Sequence, residues 1–252
     1  MSSSPLRIAI IGIRGRMGRE ILTLAERDDT VEIVAGIVRQ GTAHDASVGY
    51  PQVTSIAEIP GDVDVVIDFS SASSTVAHAR AAAERSLPLV IGTTGIDDDD
   101  LTALRLLAAS IPIWYARNMS FGVSVLHDAL RRMAAELREY DVEIVETHHR
   151  NKVDAPSGTA LALAETIQRG RNGGTISTGR SGIGRRIDGE IGIQAMRGGG
   201  NAGEHTVVFS SADEEIRIEH RALSRSAFAS GALRAAKRIA SATPGWYAAD
   251  GG

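Results

Sequence analysis

The densest run of reactive side chains is Glu146-Thr147-His148-His149-Arg150-Asn151-Lys152-Val153-Asp154-Ala155-Pro156-Ser157-Gly158-Thr159-Ala160. It opens at the end of a strand-like alternation and closes where a helical pattern begins. Ser157 is a good N-cap, and a helix starting there leaves the backbone N–H groups of Gly158 and Thr159 to bind an anion. His148, His149 and the ammonium of Lys152 beside such a helix start make a place for a carboxylate-bearing molecule. Imidazole is also the side chain best suited to exchange a proton near neutral pH. Taken singly, His148 equally fits a core histidine, Lys152 a surface charge and Ser157 a plain cap. Their crowding into one stretch favours the chemical reading. No metal site is expected, because adjacent histidines point to opposite faces of a strand.

A second motif lies near the start. Gly12-Ile13-Arg14-Gly15-Arg16-Met17-Gly18 follows the apolar run Leu6–Ile11 and precedes an amphipathic stretch with Met17, Ile21, Leu22 and Leu24 on one side. Glycines between a strand and a helix permit a tight turn and bring backbone N–H groups close to a pyrophosphate. The spacing GxxGxxG differs from GxGxxG, so the position in the chain carries as much weight as the motif. The next apolar run ends at Val38-Arg39, with no acid until Asp45. An acid there would bond a ribose 2′-hydroxyl; Arg39 suits a 2′-phosphate, and position alone equally fits a solvated arginine. The expected cofactor is NADPH, with NADH possible. Gly92-Thr93-Thr94-Gly95 and Ala116-Arg117-Asn118-Met119-Ser120 each follow a later strand at the edge where open α/β sheets bind ligands.

The elements that must position these groups follow from periodicity. Short apolar runs at 6–11, 31–38, 63–69, 87–92 and 111–115 alternate with helical stretches at 74–85 and 101–109, which predicts βαβ units and a parallel sheet. After about residue 120 come a helix over 124–138, a strand over 142–146 and a helix over 157–169. Residues 170–190, rich in Gly and Arg, read as a long mobile loop. Strands at 191–196, 204–210 and 215–220 form a separate mixed or antiparallel sheet, and a last helix spans 226–242. The class is α/β, with one domain over 1–120 rejoined by 224–252 and a second over 121–223.

Composition narrows the partners. The 252 residues carry 27 Lys+Arg against 31 Asp+Glu, a formal net charge of −4, so no nucleic acid is expected. No apolar run approaches a bilayer span, and residues 1–5 lack the basic flank and apolar stretch of a signal peptide, so no membrane partner and a cytoplasmic location are expected. The absence of cysteine removes disulfides, thiolate metal sites and thiol nucleophiles together.

The stretch His148–Ala160 resembles the segment that marks the 4-hydroxy-tetrahydrodipicolinate (dihydrodipicolinate) reductases. GIRGRMG at 12–18, Asp68-Phe69-Ser70, GTTG at 92–95, Asn118-Met119-Ser120 and Gly203-Glu204-His205-Thr206 extend the likeness over nearly the whole chain. The resemblance implies a Rossmann-type dinucleotide-binding domain, an α+β substrate-binding and oligomerisation domain with a mixed sheet, and a homotetramer. It implies reduction of a cyclic dicarboxylate in lysine (diaminopimelate) biosynthesis, with His148 the acid/base, Lys152 a proton donor, and His149, Gly158 and Thr159 binding substrate. Gly12, Ile13, Arg14, Gly15, Arg16, Met17, Arg39, Gly92, Thr93, Thr94, Ala116, Arg117, Asn118 and Met119 match its dinucleotide-contacting positions. The chain departs from the pattern at Val38, where relatives that use NADH well often have an acid, and at Arg14 and Arg117, often small residues. The competing readings are a reductase of another small dicarboxylate and a non-catalytic redox sensor, which would need no proton donor or dicarboxylate site.

Overall fold

The computed structural model describes residues 4–248. In chain order the elements are β1 (Leu6–Ile11), α1 (Arg16–Ala25), β2 (Val31–Ile37), β3 (Gln52–Val53), β4 (Val65–Asp68), α2 (Ala72–Glu84), β5 (Leu89–Ile91), α3 (Asp98–Leu107) and β6 (Pro112–Tyr115). They continue with α4 (Phe121–Glu136), β7 (Asp141–His148), α5 (Gly158–Arg171), β8 (Thr175–Thr178), β9 (Glu190–Arg197), β10 (Glu204–Ser210), β11 (Glu215–Arg221), α6 (Ser226–Ile239) and β12 (Gly245–Ala248). Two compact units result: one runs to Phe121 and resumes at Arg225, the other runs from Gly122 to Ser224.

The first unit is built on a seven-stranded sheet in the order β12-β6-β5-β4-β1-β2-β3. Its strand pairs are all parallel. Ile8, Ile10, Val65 and Ile67 pack on one face against Ile21, Ala232 and Ala236. Ala9, Ile11, Val66 and Leu89 pack on the other against Ala79 and Leu104. Burial on both faces is why these strands read as unbroken apolar runs, and each fully buried Ile or Leu contributes about 1.5–3 kcal/mol. Strand β1 pairs with β2 on one side and β4 on the other, so chain direction across the sheet reverses there. Two edge strands lie outside the sequence pattern. Two-residue β3 extends β2, and β12 pairs with β6 from Gly245 to Ala248 beyond a helix that ends at Ile239 rather than 242.

The second unit has a five-stranded mixed sheet, β11-β10-β7-β9-β8. β10 is antiparallel to β7 and β11, whereas β7, β9 and β8 are parallel. Leu126 and Leu130 of α4 and Leu163 and Ile167 of α5 cover Val142, Ile144, Ile193, Val207 and Phe209. The 170–190 stretch, expected to be a loop, contains β8, paired with β9 from Thr175 to Thr178. Ile176 is the only apolar residue in that strand, too little for a period. The rest of the stretch is tied to the sheet through Arg186, which donates to Asp141 Oδ1 (2.9 Å), to the Val142 carbonyl (2.8 Å) and to Glu143.

Candidate active site: a glycine cleft and a buried carboxylate–imidazole cluster

In the first unit, the carboxyl ends of β1 and β4 border a cavity of about 640 Å³ lined by Gly12, Arg14, Gly15, Arg39, Thr42, Ser70 and His78, among others. Gly12 has φ +77°, and a Cβ there would lie 2.6 Å from the Phe69 carbonyl oxygen, so only glycine fits. Gly18 is packed as tightly: a Cβ on it would lie 2.4 Å from the Gly12 carbonyl oxygen. Helix α1 has Gly15 as its N-cap, so no side chain caps it, and its first turn carries no acid. Its first N–H groups and the positive end of its dipole therefore suit a pyrophosphate. This cradle fits a dinucleotide.

The other loops named from sequence at this edge differ in what they offer. Ile13 is 1% exposed, with its side chain in the core, so only its backbone can meet a ligand. Arg16 and Met17 open α1. Arg14 is spoken for, donating to the Ala43 carbonyl (2.8 Å) and to Gln52 Oε1, whereas Arg39 is exposed at the cavity wall. Gly92 makes room for the Phe69 ring, which would lie 2.2 Å from a Cβ. Thr93 accepts the Ser70 N–H at 3.1 Å and donates to Asp68 Oδ1 at 3.3 Å, while Thr94 is exposed. Ala116 and Met119 are buried, Arg117 and Asn118 half-buried, and Asn118 Oδ1 accepts the Ser120 N–H.

Asp68 was not given a role by its sequence context. Fully buried at the end of β4, its Oδ1 accepts the Ser70 N–H (2.8 Å) and its Oδ2 pairs with His78 Nδ1 (2.8 Å). It stitches the β4 end to α2 and to the Thr93 loop.

In the second unit the side chains gather around the end of β7. Glu146 and His148 continue the buried face begun by Val142 and Ile144, because alternate residues of a strand share a face. Glu146 is fully buried. Its Oε2 meets His148 Nδ1 at 2.5 Å, its Oε1 accepts the Ser157 N–H at 3.0 Å, and Arg197 donates to both oxygens at 2.7 and 2.8 Å. Burial would raise its pKa, but the hydrogen bonds from His148, Arg197 and Ser157 outweigh that and bring it to about 2. Arg197 comes from β9, where the register sets it beside His148.

Ser157 caps α5 as its sequence position requires: Oγ accepts the Ala160 N–H at 3.1 Å. The same oxygen shares a hydrogen bond with His205 Nε2 at 3.2 Å. His205 presents its ring edge-on to His148, centroids 5.2 Å apart. Burial, reinforced by His148, lowers the His205 pKa to about 3, so it is neutral at pH 7. Gly158 and the buried Thr159 form the first turn of α5. Lys152 pairs with Asp154 at 2.9 Å, and that bond holds the Asp154 pKa below its ordinary value against the effect of burial. His149 donates its backbone N–H to the Asn201 carbonyl at 2.8 Å. Thus the fold joins His148 to Ser157, at the start of α5, through Glu146. To these it adds Arg197 and His205, to which no local pattern assigns a role. Glu146 was detectable as a carboxylate on the apolar face of an alternating strand; Arg197 had no local signal. Among the described residues no group of His, Asp and Glu could hold a metal ion.

A parallel sheet with its chain reversal at a glycine cradle, joined in one chain to a mixed sheet carrying an imidazole–lysine cluster, defines a two-unit dinucleotide-dependent oxidoreductase. Residues 6–119 match the family described as dihydrodipicolinate reductase, N-terminus, and residues 122–250 match its C-terminus. Two proteins called 4-hydroxy-tetrahydrodipicolinate reductase are similar along almost their full lengths. The one from Rubrobacter xylanophilus is 42% identical, covering 96% of both chains. The one from Myxococcus xanthus is 44% identical, covering 96% of this chain and 95% of the other. A solved structure of dipicolinate-bound dihydrodipicolinate reductase from Paenisporosarcina sp. TG-14 superposes with a TM-score of 0.78 at 25% identity, covering 97% of each chain. The chain belongs to the dihydrodipicolinate reductase family.

Proposed function

We propose that the protein reduces 4-hydroxy-tetrahydrodipicolinate to tetrahydrodipicolinate in lysine and diaminopimelate biosynthesis, with His148 and Lys152 as its proton-handling residues. The observation that carries this reading is the buried Glu146–His148 pair joined to the start of α5 in a chain that matches relatives bearing that name over nearly their whole length. The Paenisporosarcina relative binds dipicolinate, a planar ring with two carboxylates, and the groups gathered here suit such a ligand.

The dinucleotide, when bound at the Gly12–Met17 turn, supplies the hydride. The chain's own residues do the rest. The N–H groups of Gly158 and Thr159 at the positive end of α5, with Lys152 and His149, hold a carboxylate and fix the ring. The 4-hydroxyl leaves as water together with a proton from the adjacent ring carbon, and the charge that develops on the conjugated enamine after reduction at ring carbon 4 is quenched by a proton from His148 or Lys152. General acid catalysis of this kind contributes about 10²–10⁴-fold. Arg39, exposed at the cavity wall, favours NADPH over NADH by meeting a 2′-phosphate.

The working form is a cytoplasmic homotetramer. Its support is the family resemblance, together with the second sheet's face bearing Val145, Thr147, Met196 and Thr206, of which Met196 is 58% exposed. Among the described residues no helix is long and apolar enough to cross a membrane. The test follows reduced-nicotinamide absorbance while the enzyme receives the fresh condensation product of pyruvate and aspartate semialdehyde, with NADPH and NADH in parallel. Substrate-dependent oxidation that falls about 10²-fold in Lys152→Ala is expected. Dinucleotide binding without turnover would overturn the assignment in favour of a sensor or another dicarboxylate.

A further inference from the structure

We infer that Glu146, clamped by Arg197, is a positioning residue that fixes the tautomer of His148, so that Nε2 is the atom that takes up and delivers the reaction's proton. An ionised carboxylate can only accept hydrogen bonds, so the 2.5 Å contact between its Oε2 and Nδ1 requires the proton to sit on Nδ1. The carboxylate is kept ionised by its other donors. Arg197 spans both oxygens at 2.7 and 2.8 Å and the Ser157 N–H completes the set at 3.0 Å, all in a fully buried place. Its low pKa, about 2, agrees with that donor count. Donors from β9 and from the cap of α5 leave the carboxylate one orientation, and the imidazole inherits it.

Nε2 is the ring atom this arrangement leaves for chemistry. It lies over Gly203, where a Cβ would approach to 3.0 Å, so the glycine keeps that side of the ring clear. In the proton-delivering form both ring nitrogens carry protons. Nε2 gives its proton to the substrate, Nδ1 keeps its own on the bond to Glu146, and the product is the neutral Nδ1–H imidazole beside an unchanged carboxylate. Solvent then recharges Nε2. Arg197 and Glu146 touch no reacting atom in this account; they act through His148.

The inference rests on His148 being the proton carrier, and the experiment separates the two. Nitrogen-15 NMR of the imidazoles in the substrate-free protein reads the tautomer without turnover. His148 is expected as Nδ1–H in the wild type and in Glu146→Asp, and as Nε2–H in Glu146→Gln, whose amide N–H can donate to Nδ1. Under steady-state assay Glu146→Gln should lose about 10²-fold in kcat with KM within threefold of wild type, and Glu146→Asp should recover at least tenfold of that loss. An Nε2–H tautomer in the wild type, or a Glu146→Gln enzyme within threefold of wild-type kcat, overturns the inference. If the wild type shows the expected tautomer but does not turn over the substrate, the proposed reaction fails while the orienting role of Glu146 stands.

Discussion

Ser157 uses both its groups at once: its backbone N–H donates to Glu146 at 3.0 Å, while its hydroxyl oxygen accepts the Ala160 N–H at 3.1 Å. One residue therefore starts helix α5 and anchors the buried carboxylate of β7. The proposed anion-binding turn and the proposed proton carrier are held in register by a single hydrogen-bonded joint, and disturbing either end should be felt at the other.

The two ends should nonetheless separate kinetically. His148→Gln removes a proton-handling group and is expected to lower kcat by about 10²-fold or more with little change in KM. Thr159→Val alters the α5 turn and should mainly raise KM. Steady-state kinetics on both variants check the split, and near wild-type kcat/KM in both would refute the assignments.

Lys152 is held by Asp154 at 2.9 Å. A dicarboxylate must take the ammonium from that partner. Asp154→Asn should therefore lower KM by a few-fold, whereas Lys152→Ala should cut kcat/KM by about 10²-fold. An unchanged KM in Asp154→Asn would show that the pair does not compete with substrate.

Gly12 meets the Phe69 carbonyl too closely for any side chain and sits at φ +77°. Gly12→Ala should cost about 1–3 kcal/mol of stability through backbone strain, and more through the clash. It should also weaken dinucleotide binding at least tenfold. Calorimetric titration with NADPH and a thermal melt measure the two effects on one sample.

Arg39 tests cofactor choice. Loss of a charged hydrogen bond is worth about 1.5–3 kcal/mol, so Arg39→Ser should raise the KM for NADPH by one to two orders of magnitude and leave that for NADH nearly unchanged. Parallel kinetics with the two cofactors decide it.

His205 makes stability depend on pH. Its pKa is about 3 in the folded protein against an ordinary 6.5, chiefly because it is buried. Between those values the unfolded chain binds a proton that the native state does not, so stability is full above about pH 6.5 and falls as pH drops toward 3. One proton corresponds to a slope of at most ~1.4 kcal/mol per pH unit. Melting His205→Gln beside the wild type from pH 7.5 to 5 should show a shallower loss in the variant, and parallel curves would refute it.

The chain's local patterns carry the parts of this protein whose physical cause is local. The βαβ alternation is legible because strands buried on both faces must be continuously apolar. The Gly12–Gly18 turn and the His148–Thr159 stretch are legible because a strand-to-helix turn keeps its residues contiguous. Strands β3, β8 and β12 are not, since two to four residues at a sheet edge need neither a period nor a buried face. Arg39 could be placed at the end of β2, but that Arg14 is already engaged with Ala43 and Gln52 follows only from the folded loop.

The centre of the candidate site belongs to tertiary structure. Glu146 and His148 share a face by strand geometry, yet Arg197 reaches them only because β9 pairs in parallel with β7, setting His148 opposite Arg197. His205 arrives because β10 runs antiparallel to β7 and sets it opposite Glu146. Sequence alone located the strand-to-helix turns that carry Gly12–Gly18 and His148–Thr159, since hydrophobic period and capping act over a few residues, although β7 runs on to His148 and α2, α3 and α4 start two or three residues before their apolar periods do. Which distant charges meet there was decided by strand register, because a buried carboxylate is stable only where the folded chain brings donors to it.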